Sequence, residues 1–218
     1  VISHLSLVIS HLSLVISHLS LVISHYYRVI IMKIIIFSAP SGTGKSSVIR
    51  ELLKQTDLNL AFSISTTSRA PRGSERDGVE YYFVTAERFQ EKIKQQAFIE
   101  WQEVYAGNYY GTYASEIERL SAMGKNIVFD LDVFGGINLK KHFGDKALAI
   151  FLQPPSLEEL KKRLEHRKTD TPEKIAMRID KAAYEIEQAA YFDKIVVNDN
   201  LQVCVEEVAQ LIRTFLNH

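Results

Sequence analysis

Cysteine is almost absent from this 218-residue sequence, in which Cys204 is the only one. A single thiol excludes a disulfide bond within the chain and fits a reducing, cytoplasmic location. Cys204 lies in an apolar, helix-periodic stretch with Val205 and Val208, which predicts a buried thiol. Net charge is absent too, because 26 basic residues balance 26 acidic ones. We therefore expect no binding to nucleic acid or to an anionic membrane surface.

The sequence also lacks a convincing membrane span or signal peptide, although it begins with an apolar repeat. VISHLSL fills residues 1–7, 8–14 and 15–21 and restarts at 22–25. Ser and His occupy three of its seven positions, and no positive charge precedes it. Met32 stands directly before the first predicted strand, so we expect residues 1–31 to lie outside the working domain. The alternative is an amphipathic anchor or a partner-binding arm.

Short β-branched runs alternate with helical patterns from Met32 onward. Buried strands are predicted at residues 33–38, 126–130, 147–152 and 194–197. Helical spacing lies between them, at 45–54, 115–123 and 157–167, with another helix starting at Thr171 and Pro172. This alternation predicts an α/β fold with a parallel sheet flanked by helices. Residues 62–112, rich in Ser, Thr, Gly, Arg and Tyr, interrupt it and predict a second lobe with one helix near 86–95.

A phosphate-binding motif follows the first strand. Gly42, Thr43, Gly44, Lys45 and Ser46 stand between that strand and a helix, the context of a Walker A loop. Glycines let backbone N–H groups surround phosphate oxygens, the lysine reaches the β- and γ-phosphates, and the serine hydroxyl suits Mg²⁺. The first glycine of the pattern is replaced by Ala39, which fits if its φ is negative. An Asn-Lys-x-Asp guanine motif of GTPases is missing.

Four further segments resemble the guanylate kinase signature. They are SISTTSRAPRG at 63–73, FIEW at 98–101, GNYYGT at 107–112 and DLDV at 130–133. Their order and approximate spacing match, and the resemblance extends from Met32 to the C-terminus. It implies a P-loop kinase that transfers a phosphoryl group from ATP to GMP, and also to dGMP, with Mg²⁺.

The chemistry of two of these segments is consistent with that resemblance. Glu100, held between an apolar pair and the only Trp, can accept from guanine N1–H and the 2-amino group, and adenine has no such donor pair. Arg69 and Arg72 lie beside a proline-stiffened turn, where two guanidinium groups can clamp a phosphate. Each residue alone also fits an ordinary surface charge.

The resemblance implies roles for individual residues. Its guanine-binding positions are Ser65, Glu100, Thr112 and Asp132. Its GMP-phosphate positions are Arg69, Arg72, Tyr81 and Tyr110. Its ATP-binding positions are Ser41, Gly42, Thr43, Gly44, Lys45, Ser46, Ser47 and Asn198, the last beside adenine. Its catalytic cations are Lys45, Arg163, Arg167 and Arg178, and its magnesium positions are Ser46 and, through water, Asp130.

The expected organisation has three parts, and two alternatives remain. The core comprises residues 32–62, 116–155 and 190–218, the GMP-binding lobe 63–115 and the helical lid 156–189, in a monomer or homodimer. One alternative is a catalytically silent interaction module of a scaffold protein. Another is a kinase for a different nucleoside monophosphate, which Glu100 and Ser65 disfavour. Phe134 departs from a glutamine frequent in the family.

Overall fold

A computed structural model describes residues 32–166 and 170–217, together with Val15. The expectation for residues 1–31 and the catalytic assignment of Arg167 thus fall outside the described residues. In the described part, no helix is both long and apolar enough to cross a membrane.

The described chain alternates strands and helices. The strands are β1 (Ile34–Ser38), β2 (Leu60–Phe62), β3 (Thr66–Thr67), β4 (Tyr82–Phe83), β5 (Phe98–Tyr105), β6 (Asn108–Tyr113), β7 (Asn126–Asp130), β8 (Ala147–Gln153) and β9 (Lys194–Val197). The α-helices are α1 (Lys45–Leu53), α2 (Ala86–Lys94), α3 (Ala114–Ala122), α4 (Val133–Phe143), α5 (Leu157–His166), α6 (Pro172–Glu187) and α7 (Leu201–Leu216).

Five of these strands form a parallel sheet in the order β2-β7-β1-β8-β9. All five residues of β1 are buried, because helices cover both faces of the sheet. One face packs on α1 and α7 through Val48, Leu52, Val208 and Ile212. Residues of α3 and α4 cover the other face. Ligands of such sheets bind beyond the carboxyl ends of the strands, which here are the ends of β1, β7 and β8.

A second, four-stranded sheet in the order β4-β3-β6-β5 forms the lobe that interrupts the core. Its β5 and β6 pair in antiparallel fashion, with Glu100 opposite Thr112 and Gln102 opposite Tyr110. Phe89 of α2 stacks on Phe98 and Tyr109 and anchors the helix against this sheet. The pairing brings Glu100, Gln102 and Tyr110 to the side of the lobe that faces the core.

Helices α5 and α6 form a small helical unit of their own, here called the lid helices. Leu160, Leu164, Ile175 and Ala182 make a separate apolar cluster between them. Thr171 caps α6, since its hydroxyl accepts from Lys174 N–H, and Pro172 takes the first turn, as the sequence predicts. The α/β fold class, with its inserted lobe and helical lid, is confirmed.

In the core and the lid, element boundaries follow the sequence closely, with two omissions, whereas the individual strands β3, β4, β5 and β6 of the inserted lobe were not predicted. The strands predicted at 126–130 and 194–197 are observed with those bounds, whereas β1 starts one residue later and β8 ends one residue later. The prediction missed β2, whose three residues are too few to show alternation. It also missed α4, because Gly135 and Gly136 lower the helix propensity of its first turn.

Candidate functional site

The loop from β1 to α1 turns at two glycines. Gly42 and Gly44 have φ angles of 102° and 100°, a region that strains other residues. A Cβ atom on Gly42 would lie 2.8 Å from Leu164 Cδ2, and one on Gly44 would lie 2.6 Å from Asn198 Nδ2. Gly44 is also the N-cap of α1, so the free N–H groups and positive end of that helix meet the loop. Both glycines are therefore required, and the loop forms an anion cradle.

Ala39 fits this loop without strain. Ala39 is buried, and its φ is not positive. Among the described residues, Asn59 and Gln96 are the only ones other than glycine with a positive φ. The substitution of the motif's first glycine by alanine therefore leaves the cradle intact.

Lys45 connects the cradle to the end of β7. Its ammonium donates to the carbonyl of Leu131 at 2.6 Å and pairs with a carboxylate oxygen of Asp130 at 2.5 Å. Asp130 stands opposite Phe37 in the sheet register, which places the carboxylate beside the cradle. A cation and a carboxylate are thus both present at the mouth of the phosphate loop.

Asn198 braces the cradle from behind. Its side-chain amide donates to the carbonyl of Thr43 at 2.7 Å, and only 5% of the residue is exposed. The amide hydrogen of this residue, predicted to lie beside adenine, is committed to the phosphate loop. Asn198 also lines a second cavity of about 520 Å³ with Ser47, Arg163 and Leu201.

A cleft of about 390 Å³ separates the cradle from the second sheet. Its walls contain most residues that the sequence assigns to the two substrates, namely Ser41, Gly42, Gly44, Lys45, Ser46, Ser47, Ser65, Tyr81, Glu100, Tyr110, Asp130 and Asp132. Arg69 and Thr112 stand behind this wall. Arg72 lies on an exposed turn outside it.

Two carboxylates face each other across Gly135 at the far end of the cleft. A Cβ atom on Gly135 would lie 3.2 Å from Asp132 Oδ1 and 3.4 Å from Glu100 Oε2. Thr112 donates its hydroxyl to Glu100 Oε1 at 2.8 Å, and Gly135 N–H donates to Asp132 Oδ1 at 2.8 Å. Each carboxylate thus has one oxygen held by the protein, which leaves the other for a ligand.

Burial dominates the electrostatics of this pair. Loss of hydration raises the pKa of Glu100 to about 7, against the lowering effect of the Thr112 hydrogen bond. Burial also raises the pKa of Asp132. The far end of the cleft therefore gains stability from a ligand that brings hydrogen-bond donors to these oxygens.

Two tyrosines, Tyr81 and Tyr110, line the cleft wall, and Arg69 stands behind them. The Nε–H of Arg69 donates to the Tyr110 hydroxyl oxygen at 3.1 Å. The guanidinium carbon lies 4.9 Å from the centre of the Tyr81 ring, and burial raises the pKa of Tyr81. This cluster adds two hydroxyl groups, backed by a guanidinium group, to the cleft that also holds the carboxylates and the cradle.

The lid helices contact the cradle directly. Arg178 Nη1 donates to the Ser41 hydroxyl at 2.6 Å and Nη2 pairs with Asp170 at 3.3 Å. Arg163 instead donates to the backbone carbonyls of Asn198 and Asp199, at 2.8 Å and 3.3 Å. Arg178 is thus placed at the phosphate loop, whereas Arg163 lies at the second cavity.

Comparison with known proteins agrees with these features. The family model described as guanylate kinase matches residues 31–215. The chain belongs to the guanylate kinase family. The guanylate kinase of Bacteroides thetaiotaomicron is 55% identical over 185 residues, covering 85% of this chain and 90% of that one. The guanylate kinase of Porphyromonas gingivalis is 54% identical over 84% of this chain and 98% of its own.

A solved structure supports the same family assignment. The crystal structure of guanylate kinase from Anaplasma phagocytophilum superposes with a TM-score of 0.68 at 28% identity, covering 84% of this chain and 85% of that one. The resemblance inferred from the four motifs is therefore confirmed, and the chain is an enzyme of this family.

Phe134, the departure from the family pattern, does not enter the cleft. Its ring centre lies 6.1 Å from that of Tyr184 on α6, and 44% of the residue is exposed. The side chain therefore joins α4 to a lid helix, and the space beside Asp132 stays open.

Two charged residues of the cleft wall were missed by sequence reasoning. Lys181 and Glu185 of α6 both line it, with Lys181 Nζ 3.5 Å from Glu185 Oε1. Only 7% of Glu185 is exposed, and its pKa is raised by burial. They lie three and seven residues after Arg178, so helical spacing from that arginine predicts their common face.

The described residues suit a magnesium ion held mainly by water and phosphate. Within the described ranges, no group of three or more His, Cys, Asp or Glu side chains is placed to hold a metal ion. Mg²⁺ keeps several waters and takes one or two protein oxygens beside nucleotide phosphates. The Ser46 hydroxyl and the Asp130 carboxylate, both on the cleft wall, meet that requirement.

The raised pKa of Glu100 predicts a pH dependence of GMP binding in the family reaction. Below pH 7 the free protein holds this carboxyl protonated, and only the ionised form accepts from two donors. We expect GMP affinity to rise about tenfold from pH 6 to pH 8, measured by calorimetry. Glu100→Gln separates this from titration of the GMP phosphate, since the variant keeps only the latter. Equal pH profiles of the two proteins would contradict the assignment.

Proposed function

We propose that this protein transfers the γ-phosphoryl group of ATP to GMP, giving ADP and GDP. The observation that carries the proposal is the cleft itself. A phosphate cradle with Lys45 forms one end, and the buried acceptors Glu100 and Asp132 form the other. Such a cleft accommodates two nucleotides that meet at their phosphates.

The carboxylate end supports guanine over adenine. Guanine presents N1–H and the 2-amino group side by side, and Glu100 has one oxygen free beside that held by Thr112. Adenine presents an acceptor at N1, which would leave a buried carboxylate unpaired. A site built on such hydrogen bonds can reject the wrong base by roughly 10⁴-fold.

The middle of the cleft would hold the GMP phosphate. Tyr81 and Tyr110 line the wall and carry hydroxyl donors, and Arg69 stands directly behind them. A phosphate there lies between the base site and the cradle, so one of its oxygens faces the γ-phosphate of ATP.

The cradle end would hold the ATP phosphates. Backbone N–H groups of the loop, the positive end of α1 and Lys45 all offer positive charge to them. Ser46 and, through water, Asp130 would hold Mg²⁺, which would neutralise part of the negative charge of the ATP phosphates. Arg178 approaches from the lid at Ser41 and adds a cation at the γ-phosphate side.

The chemical step needs no general base. A GMP phosphate oxygen, already anionic, forms a bond to the γ-phosphorus as the bond from that phosphorus to the β–γ bridging oxygen breaks. Negative charge spreads over the transferred group, where Lys45 and Arg178 stabilise it. The lid helices also keep water from competing for the phosphoryl group.

The first test is a coupled assay of ADP formation with GMP, dGMP, AMP, UMP and dTMP at equal concentrations. We expect turnover with GMP and dGMP. For the other three monophosphates we expect kcat/KM to be lower by roughly 10³-fold or more. Preference for another monophosphate would contradict the base assignment. Tight GMP binding without ADP formation would favour the interaction-module alternative. The cytoplasmic location and the monomeric or homodimeric state stay predictions.

A further inference from the structure

The guanidinium group of Arg69 is almost fully engaged by the protein. Its Nη1 and Nη2 donate to the two carboxylate oxygens of Glu75, at 2.6 Å and 2.8 Å. Nη1 also donates to the carbonyl of Ala70 at 2.9 Å, and Nε donates to the hydroxyl oxygen of Tyr110 at 3.1 Å. Only 8% of the Arg69 side chain is exposed, against 23% for Glu75.

Arginine has five N–H donors, and four of those in Arg69 are used by these contacts. One N–H on Nη2 remains for a ligand while Glu75 stays in place. Arg69 therefore cannot grip a phosphate with two parallel hydrogen bonds, as a free guanidinium group would. Arg69 therefore contributes to phosphate binding mainly by positioning the side chains to which it is hydrogen-bonded.

Tyr110 is the group through which Arg69 acts. The Nε–H of Arg69 occupies a lone pair of the Tyr110 oxygen, so the hydroxyl proton points away from the arginine. Tyr110 lines the cleft, whereas Arg69 stands behind it. The proton of Tyr110 is thereby directed toward the space where the GMP phosphate is proposed to bind.

Glu75 also fixes the turn that carries Arg69. Its Oε2 accepts from the backbone N–H of Arg72 at 2.8 Å, and its own N–H donates to the carbonyl of Arg72 at 3.1 Å. The hydrogen bonds to Arg69 lower the pKa of Glu75, so the carboxylate stays ionised in this contact. One side chain thus determines the position of both the guanidinium group and the backbone beside it.

We propose that Glu75 is a positioning residue for the monophosphate substrate. It holds Arg69, and Arg69 orients the Tyr110 hydroxyl as a phosphate donor. The inference rests on the proposed function, because it takes the GMP phosphate to bind at Tyr110. On this proposal Glu75, which is negatively charged like the GMP phosphate, is nevertheless needed for that phosphate to bind.

The direction in which GMP affinity changes when Glu75 is neutralised separates a positioning role from a purely electrostatic one. If Glu75 acted only by its charge, its neutralisation would reduce repulsion and tighten GMP binding. If Glu75 positions Arg69, its neutralisation leaves an Arg69 N–H opposite an amide N–H and weakens GMP binding. The two accounts predict opposite directions for one substitution.

The test is Glu75→Gln in the full chain, with GMP affinity from calorimetry and steady-state kinetics against GMP and ATP. We expect the KM for GMP to rise roughly tenfold or more, with the KM for ATP unchanged and kcat little affected. Glu91→Gln is the matched control, since Glu91 pairs with Arg88 on the exposed face of α2 in the same lobe. This control should leave all three parameters unchanged.

Two further variants keep the test decisive. Glu75→Asp retains the charge but withdraws it from Arg69, so its KM for GMP should lie between those of the wild type and Glu75→Gln. If the glutamine variant folds poorly, a KM for GMP of Glu75→Asp above that of the wild type tests the same role. In an Arg69→Ala background, Glu75→Gln should add little, because both changes remove the same arrangement.

The outcomes separate this inference from the proposed function. A wild-type protein that phosphorylates GMP, combined with unchanged or tighter GMP binding in Glu75→Gln, would overturn the positioning role alone. A wild-type protein that leaves GMP unphosphorylated would instead refute the proposed function.

Discussion

Replacement of Lys45 by alanine is expected to lower turnover by roughly 10²–10³-fold, with little change in GMP affinity. Lys45 lies at the cradle end of the cleft, where its ammonium contacts the Leu131 carbonyl and Asp130. It would stabilise charge that develops on the transferred phosphoryl group. Single-turnover rates and GMP calorimetry together measure the two effects.

A matched control for Lys45 lies just beyond the other end of the same helix. Lys54 pairs with Glu51 at 2.7 Å on the exposed surface, far from the cleft walls. Lys54→Ala should leave turnover unchanged. Loss of GMP affinity in Lys45→Ala, at unchanged thermal stability, would show that Lys45 serves the GMP side and would contradict its assignment.

Replacement of Glu100 by glutamine is expected to reduce kcat/KM for GMP roughly tenfold or more. Gln keeps the shape and one acceptor for Thr112, but it presents an N–H₂ group where guanine presents donors. Loss of one buried hydrogen-bond partner costs about 1–3 kcal/mol, and more where a charge was involved. The KM for ATP should be unaffected, because ATP binds at the other end of the cleft.

Stability provides an independent check on Glu100→Gln. Burial raises the pKa of Glu100, so the folded state favours the protonated carboxyl. The contribution of Glu100 to folding stability is therefore fully present below pH 4.5 and is lost as pH rises through 7. At pH 8 the ligand-free variant should thus melt higher than the wild type while binding GMP less well. Glu103→Gln is the control, since Glu103 lies on the exposed side of the same strand. An equal loss of efficiency in this control would contradict a specific role for Glu100.

The sequence predicts those parts of the site whose chemistry is local. The cradle was predictable because its glycines, lysine and helix stand consecutively, and the φ angles of Gly42 and Gly44 agree with that interpretation. Glu100 and Thr112 were assigned through the resemblance, and their hydrogen bond follows from an antiparallel pairing of β5 with β6.

The parts that the sequence did not reveal depend on contacts between distant segments. The hydrogen bonds of the Arg69 guanidinium group depend on Tyr110, 41 positions away, as well as on Glu75. The different positions of Arg163 and Arg178 depend on how the lid helices dock, which helical spacing alone does not determine. Lys181 and Glu185 share a helix face with Arg178 by their spacing, but their place in the cleft wall depends on the same docking. Pairwise geometry of this kind has no signature in a single sequence.

The brace between Asn198 and Thr43 has a consequence for the order in which the protein becomes functional during synthesis. These residues are 155 positions apart, and the phosphate loop leaves the ribosome long before its brace does. Until β9 emerges and adds to the edge of the sheet beside β8, the Thr43 carbonyl lacks its amide partner and one wall of the second cavity is missing. A nascent chain therefore carries the whole Walker motif without a finished cradle. We therefore expect tight nucleotide binding only after β9 and Asn198 have been synthesised and have joined the sheet.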